Sequence, residues 1–454
     1  MIFVIRQIQE KCIEQHRSLF MVFIDLAKAF DTISRALLWD MLRRFGCPPK
    51  FMAVVEALHD GAMVRVLGEG QMSDPFEVST GVRQGCVIAP VIFNLFLAGV
   101  MMAAKHGINP EDGVPVTYRL DGSLFNLRRL KAPTKVTRDC LVELQYADDV
   151  AIVSCSADGM QHNLRELEQA YTRAGLVINT DKTEAMSVRQ PDDEPATFRL
   201  NGTPLKDVAH FRYLGSTIND RGNIDEEVQR RIGLASASFG QFTKRVFLSR
   251  NLTVRTKVAV YRAICLSILL YASETWVTYS KHTKRLERFH INCLQQILGL
   301  KWWHRVPHTE IRRRAGVDSL EAMIVQRRLR WVGHVIRMPE NRLPRQMMYG
   351  QLTEGQRSVG GQRKRYKNCV NTSLKACGIP PNQLETLAES RDVWRDACTE
   401  GMNSFSEDYD RRADERRARR HRPPADGGQH PCDVCGRICA SRIGLISHRR
   451  THQR

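Results

Sequence analysis

Three carboxylates stand where apolar runs stop. Asp25 follows the strand-like run Met21-Val-Phe-Ile24, and Asp148 and Asp149 lie in Tyr146-Ala-Asp-Asp149, between Leu144 and the apolar run Val150-Ala-Ile-Val153. Two apolar runs around a tight acidic turn predict a β-hairpin with its carboxylates at the tip. Carboxylates delivered from two separate strand ends can hold two Mg²⁺ ions about 4 Å apart, one activating a 3′-hydroxyl and the other stabilising a leaving pyrophosphate. This is the metal requirement of nucleotidyl transfer. Read alone, either motif is equally compatible with a solvated turn or a plain strand end.

A second constellation, Cys432-x2-Cys435-x12-His448-x3-His452, lies at the C-terminal end. Two thiolates on a knuckle and two imidazoles one helical turn apart make a tetrahedral site for one structural Zn²⁺, able to fold a peptide too small for its own core. The segment resembles a Cys2His2 finger with Leu445 at its core position, but Cys439 replaces the usual aromatic, which weakens the core and offers a competing ligand. Arg437, Arg442, Arg449 and Arg450 make it basic. One finger spans only about three base pairs, so a stand-alone zinc-finger regulator would leave most of the chain unexplained.

The elements that must position these groups follow from periodicity. Leu37, Leu38, Met41, Leu42 and Phe45 recur at helical spacing and Gly46 is a suitable cap, with Pro48-Pro49 preventing continuation, so a helix follows the Asp25 strand closely. A second amphipathic helix carries Met160, Leu164, Leu167, Tyr171 and Ala174 to Gly175 and is expected across one face of the sheet. The uncharged run from Gln84 to Ala104 contains Pro90 and Asn94 and reads as a buried core segment rather than a membrane span. From about 221 to 400 the pattern is mainly helical and basic, with a Trp302-Trp303 pair and the stretch Arg357-Ser-Val-Gly-Gly-Gln-Arg-Lys-Arg365, which suits a surface that tracks a nucleic-acid backbone or is simply solvated. The charge run Arg411–Arg422 and the linker Pro423–His430 mark a boundary before the Cys/His segment.

Composition agrees with a polyanionic partner. The 454 residues carry 68 Lys+Arg against 49 Asp+Glu, a formal charge of +19 and a pI near 9.6, which points to nucleic acid ahead of an acidic membrane surface and away from small-metabolite chemistry. Thirteen cysteines in this length, several of them isolated, fit a reducing intracellular compartment, and no secretory signal is recognised at the N-terminus.

Five motifs then occur in one order: Phe23-Ile-Asp25-Leu-Ala-Lys-Ala-Phe30-Asp31, Gly81-Val-Arg-Gln84-Gly85 with Pro90 and Asn94, Tyr146-Ala-Asp148-Asp149, Gly175-Leu-Val-Ile-Asn179-Thr-Asp-Lys182, and Tyr213-Leu-Gly215. This order resembles the palm of reverse transcriptases, most closely the LINE-type enzymes of non-LTR retrotransposons. A fainter resemblance continues through Leu270–Trp276 and Trp331–Pro339 into the thumb and downstream region. The resemblance implies an α+β fold: a right-hand polymerase palm with partial fingers over 1–220, a helical basic thumb and C-terminal region over 221–400, a basic linker over 401–430 and a small ββα zinc finger over 431–454. It further implies Asp25 and Asp148 as Mg²⁺ ligands with Asp149 in support. Phe30 would be the ring that crowds a ribose 2′-hydroxyl, with a plain core aromatic as its bland alternative. Gln84 and Gly85 would touch template and nucleotide, or else form a turn that starts a helix. Lys182 would protonate pyrophosphate, or else be a surface lysine.

Only 24 residues precede Asp25, so most of a fingers region is expected to be missing, and no endonuclease pattern precedes the palm. The expected function is an RNA-directed DNA polymerase of a non-LTR retrotransposon, adding dNTPs to a primer 3′-hydroxyl with two Mg²⁺. Its expected partners are an RNA template, a DNA primer or target and an endonuclease supplied in trans, with no membrane. The alternative is a catalytically inactive nucleic-acid-binding remnant of such an enzyme. Substrate and basic runs favour the nucleus over the cytoplasm.

Overall fold

The computed structural model describes residues 1–83, 85–132, 134–190, 194–355, 357, 360–421, 430–439 and 442–452. Its centre is a five-stranded sheet in the spatial order Lys206–Asp207, Glu184–Val188, Leu19–Ile24, Asp149–Ser154, Glu143–Tyr146. All neighbours are antiparallel except the outer Glu184–Val188/Lys206–Asp207 pair. The Leu19–Ile24 strand is buried throughout, and the sheet accounts for this because both its faces are covered.

Phe20, Val22, Ile24, Val150 and Ile152 point to one face, where the helices Ala89–Ala104 and Ala157–Arg173 pack on them through Ile92, Phe93, Phe96, Leu164, Leu167 and Tyr171. Leu19, Met21, Phe23, Ala151 and Val153 point the other way, onto Val4, Ile5, Ile8 and Cys12 of the Ile2–Glu14 helix and onto a second sheet. The period-2 geometry of a strand thus divides one continuous apolar run between two cores. The run ending at Ala104 is a 16-residue core helix with Pro90 in its first turn, where a missing N–H costs nothing. No described helix is long and apolar enough to cross a membrane.

The helix after Asp25 spans Arg35–Arg44, capped by the Ser34 side chain on Leu37 N–H, with Leu38 and Leu42 on its buried side. Phe45, expected on that stripe, lies just past the last turn and is exposed.

The change near residue 220 is one of secondary structure and not of packing. Gln351–Leu352 pairs with Val114–Tyr118 as the third strand of the small sheet, and Phe3 shares a core with Leu329, Val332, Tyr366 and Trp394. Glu10 accepts from the Tyr366 N–H at 2.7 Å, and Glu14 pairs with Arg365. The N-terminal helix is therefore a wedge between the sheet and the helical region.

Residues 401–421, expected within a linker, continue one 31-residue helix, Arg391–His421. Trp394 anchors it by donating from Nε1 to the Leu329 carbonyl at 3.0 Å, and Met402 joins the same core. A Cβ at Gly333 would fall 2.1 Å from that indole nitrogen, so the glycine of Trp331-Val-Gly-His334 is the gap that admits Trp394. Linker residues 422–429 lie outside the described residues. Beyond them His430–Pro431 pairs with Ile438–Cys439, followed by the Arg442–Arg449 helix.

Candidate active site

The register of the central strands brings the three carboxylates together. Ile24 pairs with Val150, so Asp25 and Asp149 leave the sheet at the same end of adjacent strands. Tyr146 pairs with Asp149, leaving Ala147-Asp148 as a two-residue turn whose first residue has φ +52°. That left-handed conformation costs a residue with a Cβ about 1–2 kcal/mol and fixes the direction in which Asp148 leaves the turn. The Asp149 carboxyl is pushed up from the ordinary carboxylate range by burial, and then by the negative charges of Asp148 and Asp25.

Asp25 is fastened at its backbone. Its N–H donates to Thr183 Oγ1 at 3.3 Å, its carbonyl accepts from Asn179 N–H at 2.8 Å, and Leu26 bridges to Ile178. This stitching carries Lys182 into the site, with Nζ 3.9 Å from Asp25 Oδ2, although the two are 157 positions apart in sequence.

The Phe30 ring is half-buried and stacks on Phe93, with centroids 4.1 Å apart and planes 15° from parallel. The following loop docks on the same turn: Val82 N–H donates to Phe30 O at 2.7 Å, Gly81 N–H to Ile33 O at 2.9 Å, and Thr80 Oγ1 to Asp31 O at 3.1 Å. Gly81 has φ +74°, and a Cβ there would lie 2.5 Å from Phe30 O, so only glycine permits this approach. Gly85 is exposed at φ +81° with open space around it. Gln84 lies outside the described residues.

The family model for reverse transcriptase (RNA-dependent DNA polymerase) matches residues 3–218. Those residues are a reverse transcriptase domain. Similar proteins include a transposon-derived protein of Caenorhabditis elegans, 28% identical over 56% of this chain and 94% of its own length. Two from Drosophila melanogaster are the retrovirus-related Pol polyprotein from type-2 retrotransposable element R2DM and the RNA-directed DNA polymerase from mobile element jockey. They are 24% and 21% identical over 46% and 63% of this chain. The match spans 18% of the first and 29% of the second. The reverse transcriptase domain is thus similar to those of non-LTR retrotransposons.

Within this domain Arg35 is a positioning residue that gave no signal in the sequence, whereas Tyr213-Leu-Gly215 stood in the motif order without an assigned role. Arg35 donates from Nε to Gly81 O at 3.0 Å, from Nη1 to His59 O at 2.7 Å and from Nη2 to Thr80 O at 3.3 Å, tying the glycine loop to the helix after Asp25. An arginine at a helix start reads as ordinary, because carbonyl acceptors leave no trace in composition. Tyr213 buries its ring against Phe23 and donates to the Leu144 carbonyl at 3.2 Å, supporting the acidic hairpin from behind. The next two residues, Leu214 and Gly215, both have positive φ in a two-residue hairpin turn. Tyr271 donates to Leu214 O at 2.8 Å and Arg230 to Gly215 O at 3.0 Å, so the helical region holds the domain's last hairpin.

The four predicted zinc ligands also converge. One donor atom each from Cys432, Cys435, His448 and His452 lie within 4.8 Å of one another. His448 Nε2 stands 3.1 Å from both Cys435 Sγ and His452 Nε2. Cys439 is half-buried in the preceding strand and is not in this group.

Proposed function

We propose that this protein is a Mg²⁺-dependent RNA-directed DNA polymerase that extends a primer 3′-hydroxyl with dNTPs on an RNA template. The observation that carries this reading is the convergence of Asp25 with Asp148 and Asp149 at one end of two paired strands. Three carboxylates of hard oxygen donors, with the Asp149 carboxyl held up by burial and then by the charges of Asp148 and Asp25, fit a divalent cation pair that would neutralise them. When bound, two Mg²⁺ ions supply the Lewis acidity that activates the 3′-hydroxyl and stabilises the departing pyrophosphate.

Asp25 and Asp148 hold that pair and Asp149 supports them. Phe30, braced on Phe93, fills the space where a ribose 2′-hydroxyl would sit. Gly85, and Gln84 beside it, meet template and nucleotide. Lys182, poised beside Asp25, donates a proton to the leaving pyrophosphate. The Cys432/Cys435/His448/His452 group holds one structural Zn²⁺, its two sulfurs and two imidazole nitrogens being the donor set this ion takes. DNA primer or target and an endonuclease acting in trans complete the set of partners, and the nucleus is the compartment where they meet.

Primer extension on an RNA template with dNTPs and Mg²⁺ tests this directly. The wild-type chain should extend and Asp148→Ala should lose about 100-fold or more. No extension by either protein, with salt-sensitive RNA binding retained, would establish the inactive binding remnant instead.

A further inference from the structure

Of the six tryptophans, Trp39, Trp276, Trp331 and Trp394 are buried or half-buried, whereas Trp302 is 80% exposed and Trp303 57% exposed. Both sit on the 3-10 turn Trp302–His304 between the Ser280–Ile297 and His308–Ala315 helices. The turn is rigidly mounted. Leu300 and Val306 on either side of it pack on the helical core, the Leu300 N–H donates to Gln295 O at 2.8 Å, and the Lys301 N–H donates to His304 Nδ1 at 3.1 Å. Neither indole takes part in that core. The rings stand edge-to-face with centroids 5.7 Å apart, so they present two differently oriented π surfaces to solvent.

Cationic residues flank them along the chain. Lys301 and Arg305 flank the pair and are exposed, and Arg417 of the long basic helix reaches over to the Arg305 carbonyl at 3.5 Å. Among the described residues none of these three pairs with a carboxylate, unlike Arg313 and Arg314 nearby, which Glu310 neutralises. Leaving two tryptophans in water is costly, and uncompensated cations beside flat rings match the chemistry of an unpaired base on its phosphodiester backbone.

We propose that the Trp302-Trp303 turn is a stacking platform for single-stranded nucleic acid, separate from the carboxylate site. Lys301, Arg305 and Arg417 steer the phosphates, and a base stacks on each exposed indole. A duplex, whose bases are already stacked on one another, gains nothing from the rings.

The test uses the full chain and three labelled probes of equal length: a single-stranded RNA, a single-stranded DNA and a blunt duplex. Trp302→Ala/Trp303→Ala should bind the single strands about 10- to 100-fold more weakly, with duplex affinity within about twofold. Trp302→Phe/Trp303→Phe should restore most of the loss, and Lys301→Ala/Arg305→Ala should flatten the salt dependence of single-strand binding. Unchanged single-strand affinity, or an equal loss on the duplex, would overturn the proposal. A fall from dimer to monomer in the alanine variant by sedimentation would overturn it in favour of a second copy covering the rings.

Discussion

At Phe30 the strand end, the glycine loop and the Ala89–Ala104 helix meet around a single ring. The Phe30 ring stacks on Phe93, and the two hydrogen bonds from residues 81 and 82 fasten the backbone beneath it. On the proposed function, a ring held in this way would discriminate by shape, because a 2′-hydroxyl would have to displace it. Phe30→Ala should therefore admit ribonucleotides, reducing discrimination between dNTP and rNTP about 10-fold or more while dNTP incorporation persists. Competition extension assays measure this, and unchanged discrimination would return Phe30 to the role of a core aromatic. The sequence displayed Asp25 and Asp148 openly, because carboxylates where apolar runs stop are chemically distinctive, whereas Phe30 was singled out only by the resemblance of the motif order. Arg35 was silent, since its function consists of donating to three main-chain carbonyls.

Among the elements, the Ser280–Ile297 helix contains a buried titratable group within the helical core. His290 is fully buried, its Nδ1 is 2.9 Å from the Tyr261 hydroxyl, and burial together with the Arg312 and Arg262 charges pushes its pKa down to about 3. In the unfolded chain this imidazole takes up a proton near its ordinary value, about 6.5. Between those values the unfolded state binds more protons than the folded one, so stability falls as pH drops through the window. Lowering pH from 7 to 5 should cost about 2 kcal/mol through this residue alone. Urea unfolding of wild type and His290→Gln at both pH values checks this, and equal pH slopes would refute it. Periodicity announces such helices without revealing which of their polar residues are sealed in. The same holds for 401–421, where a run of arginines reads as linker but the Trp394 and Met402 anchors make it the second half of a helix.

Over the whole molecule the sheet and helical cores are joined, whereas the Cys/His segment stands apart. The Ile2–Glu14 helix, the Gln351–Leu352 strand and Tyr271 each bind the reverse transcriptase domain to the helices that follow it. Among the described residues, none of 430–452 belongs to the shared buried cores. A zinc-selective chelator should therefore unfold 430–452 and open it to protease while primer extension at saturating template stays within about twofold. Collapse of extension on chelation would show that the segment supports the domain directly.

The sequence by itself determined the local facts: acidic residues where apolar runs end, a zinc-type spacing that persists whatever surrounds it, strand and helix periods, and a net positive charge. These depend on neighbours within a few positions. Tertiary structure decided what depends on distant partners: that Lys182 reaches Asp25 across 157 positions, that residues 80–82 close on the Phe30–Ile33 turn, and that the N-terminal helix wedges the sheet against Tyr366. It also decided that two tryptophans out of six remain in water. The sequence offered a surface among basic residues as one reading of the Trp302-Trp303 pair, and the structure packs Leu300 and Val306 on the core while both indoles stay exposed.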